Sequence, residues 1–471
     1  MAPQVALAAF LTQRGGEEGD ILEMLEPAIK DADLFARMPA SRRYQLAALY
    51  AAAAYRLGEW DAAHKASVLA TEQAQAGPED WDRRFHVAIL AGDGADAYQS
   101  FQRLMGREPL LSLSGRQLER FDRLLGELPD ARQARLALGR EMEREAWEPA
   151  FVIYDPSRVW LDYARALDES GDRRKAAAIA RRITDPTLVM AVQADPRFDD
   201  LVRATPTLGD ARAAAERYLA QSHDYMRENP RMLNGRVAEA RALVILGRSS
   251  EALKLLDEAV QALGAGPRRQ PAFDDMDDEP VLQYWRSAAM IDEGRLGEAI
   301  GARTAAAACH CSGLDAVMLA QALLEAGRAK EAKRWLDQAS DNGLGLEDRM
   351  LLAKTRACVA VEAGAGTDAA AMNFLVRHER WAPAAMIEAL LCAGDFDGAA
   401  AALVRQLEDP ESRIDALAGL QAYGPEPNPW SHRIRLRAAW ARLAARPDVR
   451  AALAKVGRRN AYDLRSLPVI G

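Results

Sequence analysis

The stretch AQALLEAGRAKEAKRWLDQA, residues 320–339, contains two apolar helical patterns separated by one glycine. On both sides of Gly327, alanine and leucine recur with the spacing of one face of an amphipathic helix. Glycine tolerates the left-handed conformation that ends a helix, and Ala332 is small enough to let a second helix pass close to the first. The stretch therefore predicts a helical hairpin.

The same pair of residues, a glycine followed five positions later by an alanine, recurs at intervals of 30 to 47 residues. The copies are Gly58 with Ala63, Gly92 with Ala97, Gly126 with Ala131, Gly171 with Ala176, Gly209 with Ala214, Gly247 with Ala252, Gly294 with Ala299, Gly327 with Ala332, Gly364 with Ala369, and Gly394 with Ala399. The copies at Gly126 and Gly209 match the pattern least well. Neither helix of a hairpin can bury its apolar face alone, so this repeat predicts hairpins stacked in series.

The composition favours an all-α protein. Of the 471 residues, 49% are hydrophobic but only 6% are aromatic, and alanine, the best helix former, supplies much of the hydrophobic total. Alternating runs of Val, Ile, Thr and Tyr, which mark strands, are nearly absent. The length exceeds what one compact core usually serves, which favours several domains or an elongated array.

The charge and the cysteine content restrict the partner and the compartment. A net charge of −8 gives no overall basic footprint for nucleic acid, and no apolar stretch approaches the roughly 18 residues that span a bilayer. The start, MAPQVALAAFL, lacks the basic region of a signal peptide, and four cysteines make no disulfide framework. We expect a cytoplasmic protein without a membrane span, or a periplasmic one if a leader has been removed.

The repeat resembles the tetratricopeptide repeat (TPR) family, in the divergent form found in bacteria. In the best copy, six residues fall on the helix-contact positions of that family: Ala320, Leu323, Gly327, Ala332, Leu336 and Ala339. The resemblance covers about 400 residues and concerns helix contacts rather than function. It implies a right-handed α-solenoid of about 10–12 antiparallel helical hairpins.

Breaks in the period predict the domain organisation. We expect an N-terminal capping hairpin (1–38), an N-terminal TPR-like array (39–183), an irregular helical connector (184–210), a C-terminal TPR-like array (211–429) with an acidic, Pro/Gly-rich insertion at 264–280, and basic C-terminal capping helices with a tail (430–471). In the connector, Asp185-Pro186 and Asp195-Pro196 each have the pattern of an N-cap followed by proline in the first helical position.

The sequence contains no recognisable catalytic motif. Cys309, His310 and Cys311 form the one metal-like cluster, but a closed zinc site needs four ligands, and the other two cysteines, Cys358 and Cys392, belong to separate predicted helices. We therefore interpret the cysteines as small buried residues. The acidic run 274–279 lacks the glycine of a calcium loop and is interpreted as a solvated loop. We predict no enzyme activity, no cofactor and no metal.

In TPR proteins the first helix of each hairpin lines a concave groove, and the resemblance places the groove positions about 13, 10, 6 and 3 residues before each turn glycine. The resulting partner-binding candidates are Arg116, Arg120, Arg123, Arg158, Arg165, Asn234, Arg241, Tyr284, Gln321, Lys354, Trp381 and Glu388. The early positions are basic, and arginine offers a forked pair of donors to carboxylates. An acidic protein or peptide segment is the expected partner, although a solvated arginine-rich face would have the same pattern.

Residues 430–471 contain ten basic and two acidic residues. Such a segment can bind nucleic acid or an anion, pair with the acidic remainder of the chain, or cap the last hairpin. The preferred prediction is a non-catalytic scaffold that binds a protein or peptide in the groove. The alternatives are an all-α helical-repeat enzyme or carbohydrate-processing factor with an unrecognised site, and anion or nucleic-acid binding through this basic segment. The sequence predicts no particular oligomeric state.

Overall fold

The computed structural model describes residues 18–148, 155–265, 272–275, 279–310, 313–340, 344–428 and 430–465. Over these residues the chain is all-α, and its only β-type pairing is an isolated bridge between Ala422 and Ala461. The prediction of an all-α protein made of helical hairpins is thereby confirmed. Within the same residues, no helix is both long and apolar enough to cross a membrane.

The chain divides into two compact units. Unit 1 comprises residues 1–150 and 158–176, and unit 2 comprises residues 151–157 and 177–471. Residues 1–17 of the predicted capping hairpin, 266–271 and 276–278 of the predicted insertion, and 466–471 of the predicted tail lie outside the described residues.

Unit 1 is a series of antiparallel hairpins. Its helices are α1 Glu18–Lys30, α2 Ala32–Ala36, α3 Ala40–Leu57, α4 Trp60–Thr71, α5 Pro78–Ala91, α6 Gly94–Leu104, α7 Gly115–Leu125, α8 Ala131–Arg144, most of α9 Ser157–Glu169 and the start of α10 Arg173–Ala180. Helix α1 packs against α3, and the hairpins α3/α4, α5/α6 and α7/α8 pack against one another in chain order.

Aromatic side chains join the middle hairpins of unit 1. Phe85 on α5, Phe101 on α6 and Phe121 on α7 are completely buried, and their ring centroids are 5.0 to 5.9 Å apart. Rings at these separations stabilise the fold by more than their buried area alone when they meet edge to face, as Phe121 does with the other two. The three rings therefore join the hairpin α5/α6 to the hairpin α7/α8 through shared side-chain packing.

Unit 2 contains the remainder of α10 and all later helices. These are α11 Pro186–Ala194, α12 Asp199–Ala204, α13 Ala211–Glu228, α14 Leu233–Ile245, α15 Ser249–Ala265, α16 Glu279–Asp292, α17 Leu296–His310, α18 Gly313–Glu325, α19 Ala329–Gln338, α20 Leu346–Glu362, α21 Ala369–Arg377, α22 Pro383–Ala393, α23 Phe396–Glu408, α24 Arg413–Leu420, α25 Ser431–Ala444 and α26 Pro447–Val456. Helices α14 to α23 form five consecutive hairpins, and their first helices α18, α20 and α22 pack side by side.

The two ends of unit 2 contact each other. Helix α11 packs against α13 on one side and against α24 on the other. The C-terminal residues 421–428 and 430–465, which we name the closing segment, return to the same place, where the Arg458 amide donates to the Ala194 carbonyl at 2.9 Å. The Arg197 guanidinium also donates to the Pro410 carbonyl at 3.2 Å. Helices from the start and from the end of unit 2 are therefore in direct contact.

Eight of the ten predicted turn glycines have positive φ angles, which range from 72° at Gly327 to 88° at Gly171. Gly126 and Gly209, the two poorest copies, have φ angles of −61° and −79°. The alanine five residues after the glycine is completely buried in eight copies: Ala63, Ala97, Ala176, Ala214, Ala252, Ala299, Ala332 and Ala399. The close helix contact inferred from the sequence is therefore present in those copies.

The copy at Gly364 departs from its predicted register. Ala369 is exposed, whereas Ala371, five residues after Gly366, is buried. Both Gly364 and Gly366 have positive φ angles, so the turn is two residues longer than the pattern suggests. The assignment of Ala369 to the helix contact is therefore wrong.

The predicted connector folds as short helices that belong to unit 2. Asp185 accepts hydrogen bonds from the amides of Thr187 and Leu188, and Asp195 accepts one from Arg197. Pro186 and Pro196 occupy the first positions of the segments that follow. Both N-caps predicted from Asp-Pro pairs are therefore confirmed.

Cys358 on α20 and Cys392 on α22 form a disulfide with a Cα separation of 5.0 Å. The interpretation of these two cysteines as only small buried residues is wrong, because the side-by-side packing of α20 and α22 places their sulfurs in contact. The side chains of Cys309 and His310, and all of Cys311, lie outside the described residues.

Reduction of this disulfide is expected to lower the free energy of unfolding of unit 2 by about 2–4 kcal/mol, because the bond closes a loop with a sequence separation of 34. Chemical denaturation with and without dithiothreitol measures the difference. The Cys358→Ala/Cys392→Ala variant is the control, since reductant should no longer change its stability. Equal stability of the wild type in both conditions would contradict the assigned bond.

Gly139 on α8 faces the ring of Tyr163 on α9, and a Cβ atom at Gly139 would lie 2.2 Å from the ring atoms. We expect Gly139→Ala to destabilise unit 1 by about 1–3 kcal/mol, because the overpacked ring must move. Gly301 in α17 is the matched control, since nothing lies within 4 Å of its added Cβ and alanine is the better helix former there. Calorimetric unfolding in which both variants lose stability equally would contradict this close contact.

Candidate partner-binding surfaces

The arginines predicted for the early groove lie on two first helices of unit 1. Helix α7 carries Arg116, Arg120 and Arg123, and α9 carries Arg158 and Arg165. Arg116 is exposed and the other four are partly buried. Arg120 also donates to the Leu90 carbonyl of α5 at 2.9 Å.

Two buried aspartates organise this group of arginines. Asp162 on α9 is 3% exposed, and its carboxylate lies 3.1 Å from Arg158 Nε and 3.0 Å from Arg165 Nη2. The buried Arg135 of α8 lies 3.6 Å from Asp162 and 3.4 Å from Asp122 of α7. Helices α7, α8 and α9 are therefore joined by one continuous network of charged side chains.

The two aspartates have opposite pKa shifts. Burial raises the pKa of Asp122 well above its ordinary value, and the neighbouring Asp162 adds to that effect. Burial also acts to raise the pKa of Asp162, but the guanidinium groups of Arg135, Arg165 and Arg158 outweigh it and hold that pKa well below its ordinary value. Asp162 is therefore the more readily ionised of the two carboxyl groups, and three guanidinium groups lie around it.

His86 on α5 extends the same surface and was not among the sequence candidates. Its Nε2 atom lies 2.9 Å from Ser112 Oγ and 3.9 Å from Asp82 Oδ1. Burial lowers the pKa of His86, although Asp82 opposes the shift. The sequence did carry a signal for this residue, because His86 stands six positions before Gly92, as Arg120 does before Gly126.

Asn234 and Arg241 of α14 are engaged inside unit 2. The amide nitrogen of the Asn234 side chain, which is completely buried, donates to Asp275 at 2.7 Å. Arg241 donates to Asp185 at 2.9 Å and lies over the Tyr218 ring. The described residues of the predicted insertion thus cap α14 through Asp275, and Asp274 pairs with Arg231.

The remaining candidates lie on the first helices of unit 2, except Trp381, which immediately precedes α22. Tyr284 is 6% exposed, has Arg303 over its ring, and has a pKa that burial raises to about 12. Lys354 and Glu388 form an ion pair at 3.0 Å, and Gln321 donates to Thr355 at 3.4 Å. Trp381 is also 6% exposed. These side chains mostly contact one another and their neighbours, so they present little surface to a partner.

Six of the ten basic residues of the closing segment form ion pairs with acidic residues of unit 2. The pairs are Arg433 with Glu325 and Glu426, Arg435 with Glu362, Arg437 with Glu426, Arg446 with Asp397 and Asp448, Lys455 with Glu408, and Arg458 with Asp199. Of the alternatives that the sequence left open for this region, pairing with the acidic remainder of the chain is the one that these contacts match.

The perturbed carboxyl groups of unit 1 also include Glu145 at the end of α8. Burial, together with Glu141 and Glu108, raises the pKa of Glu145 to about 7. Its carboxylate accepts from the Leu110 amide at 3.1 Å and so holds the loop between α6 and α7. Among the described residues, no group of three or more His, Cys, Asp or Glu side chains is arranged to hold a metal ion.

Comparison with known proteins adds only similarities of fold. No protein-family model and no curated protein sequence matches the chain. The crystal structure of the APC/C hetero-tetramer Cut9–Hcn1 is 15% identical, with a TM-score of 0.30 over 96% of this chain and 89% of that one. Yeast Tom70 is 13% identical, with a TM-score of 0.32 over 96% of this chain and 98% of its own. The structure of Naa15/Naa10 bound to HypK is 13% identical, with a TM-score of 0.26 over 95% and 73%.

Asp162→Asn is expected to destabilise unit 1 by about 3–5 kcal/mol, because it leaves the guanidinium groups of Arg135, Arg158 and Arg165 without their shared carboxylate. Asp122→Asn is the matched control and should cost clearly less, because the raised pKa of Asp122 makes its carboxyl group the more readily neutralised of the two. Denaturant unfolding of both variants at pH 7 measures the difference. A larger loss in Asp122→Asn would contradict the assignment of the ionised carboxylate to Asp162.

Proposed function

We propose that the protein is a non-catalytic scaffold that binds an acidic segment of a partner protein on the first helices of unit 1. The binding surface consists of Arg116 and Arg123 on α7 together with Arg158 and Arg165 on α9. The proposal rests on the charged network beneath these helices, in which Asp162 fixes the orientation of both arginines on α9.

Orientation of the guanidinium groups before binding is what supports recognition of a carboxylate. A free arginine side chain loses rotamer freedom when it binds, whereas Arg158 and Arg165 already lie against a buried carboxylate. Guanidinium groups present paired donors with the spacing of carboxylate oxygens, so side-chain or C-terminal carboxylates of a peptide fit them.

The other functions that the sequence left open receive less support. The basic closing segment pairs with acidic residues of its own unit, so we do not propose that it binds nucleic acid. For an enzyme, perturbed carboxyl groups would have to face a substrate pocket. Asp122, Asp162 and Glu145 instead contact neighbouring helices or loops.

The test uses the full-length chain and a fluorescein-labelled peptide of alternating glutamate and glycine that ends in a free carboxylate. Fluorescence anisotropy measures its Kd for the wild type and for Arg116→Glu/Arg123→Glu. We expect the variant to bind at least about 10-fold more weakly, because two charge-assisted contacts become repulsive.

Arg132→Glu/Arg140→Glu is the matched control, since it makes the same change of net charge at two exposed arginines of the second helix α8. It should retain nearly wild-type affinity. If both variants bind the peptide equally weakly, the interaction is general electrostatic attraction, which contradicts the proposed surface. Failure of the wild type to bind the peptide would contradict it as well.

A further inference from the structure

The closing segment lies against the C-terminal ends of three successive first helices in unit 2. The Asn428 side chain donates to the Asp292 carbonyl at the end of α16 at 2.5 Å. Arg433 donates to the Glu325 carboxylate at the end of α18 at 3.2 Å. His432 lies 2.6 Å from the Glu362 carboxylate at the end of α20, which also accepts from Arg435.

The repeat itself creates this row of negative groups. Asp292, Glu325 and Glu362 each stand two positions before a turn glycine, so successive hairpins present them in equivalent places. The last carbonyl groups of a helix lack partners within the helix and carry partial negative charge. We name the ends of α16, α18 and α20, with these three residues, the acidic row.

The middle of the closing segment is held mainly by polar contacts. In α25 only His432 and Leu443 are buried, and Ile434 is 52% exposed. The Arg435–Glu362 ion pair is weak and screened by salt, because the Arg435 side chain is 56% exposed, whereas Arg433 and Glu325, at 21% and 12%, are largely buried. Trp430 packs against the hydrophobic core of unit 2, and the rest of the stretch 428–437, apart from residue 429, is held on the acidic row by polar contacts.

Both ends of the closing segment are fixed more firmly. At one end, the Ala422 amide donates to the Asn460 carbonyl at 2.9 Å, and the Tyr462 amide donates to the Ala422 carbonyl at 2.8 Å. At the other end, α26 packs against α23 and buries Val449 and Ala452. The stretch on the acidic row is therefore flanked on both sides by contacts that do not depend on its ion pairs.

We propose that the acidic row is a second binding surface, for a basic, arginine-containing segment of a partner protein, and that residue 428 and residues 430–437 occupy it as an internal competitor. The charge of the row and the chemistry of its present occupant define the partner: arginines spaced two residues apart, like Arg433 and Arg435, next to an aromatic residue such as Trp430. This inference concerns unit 2 and does not depend on the function proposed for unit 1.

The test uses the full-length chain and a fluorescein-labelled peptide with the sequence of residues 425–437, PEPNPWSHRIRLR. Arg433→Glu/Arg435→Glu should release the resident stretch, so the peptide binds this variant at least about 10-fold more tightly than the wild type. Adding Glu325→Gln/Glu362→Gln to the same variant should abolish that gain. Amide hydrogen exchange of residues 431–444 should also become faster in Arg433→Glu/Arg435→Glu.

Arg450→Glu/Arg459→Glu is the matched control, because it reverses two exposed charges of the closing segment away from the acidic row. It should bind the peptide as the wild type does. The single variant Arg435→Glu, which alters a half-exposed side chain, replaces the double variant if circular dichroism shows that the latter is misfolded. Peptide binding no tighter than in the wild type, or binding that is insensitive to Glu325 and Glu362, would overturn the proposal.

Discussion

The close approach of two short helices around a left-handed glycine is the constraint on which the rest of the structure depends. A positive φ at Gly327 ends α18 and returns the chain, and Ala332 lets α19 pack without a gap. Each hairpin still has an apolar face to cover, so the next hairpin must follow. Serial stacking then places equivalent residues of neighbouring repeats side by side, and this produces the arginines of unit 1, the acidic row of unit 2 and the disulfide.

Charge is used differently in the two units. In unit 1 a buried carboxylate, Asp162, orients three guanidinium groups within a network that joins three helices. In unit 2 the negative charge of helix ends and carboxylates is met by the closing segment of the same chain. Arginines that a buried carboxylate orients, and acidic helix ends that a segment of the same chain covers, are two distinct ways in which a helical-repeat protein can offer binding sites.

The sequence predicted the repeated contacts well because they depend on residues only a few positions apart. The sequence-based prediction was wrong or incomplete where the burial or pairing of a side chain depends on residues of neighbouring repeats. Tyr284 stands at a groove position, yet Trp285 and Arg303 enclose it, and neither is implied by the spacing. The disulfide had a detectable signal, since the separation of 34 between Cys358 and Cys392 is one repeat period, but the pairing also requires α20 and α22 to be adjacent. Ala369 was misassigned because a two-residue extension of a turn leaves the local pattern unchanged.

We propose that unit 1 recognises carboxylates through the first helices α7 and α9. Hydrogen–deuterium exchange of the full-length chain, with and without a saturating acidic peptide, tests it most directly. We expect slower exchange that is concentrated in residues 115–125 and 158–169, with the second helix, residues 131–144, little changed. Protection confined to other helices, or spread evenly over the chain, would contradict it.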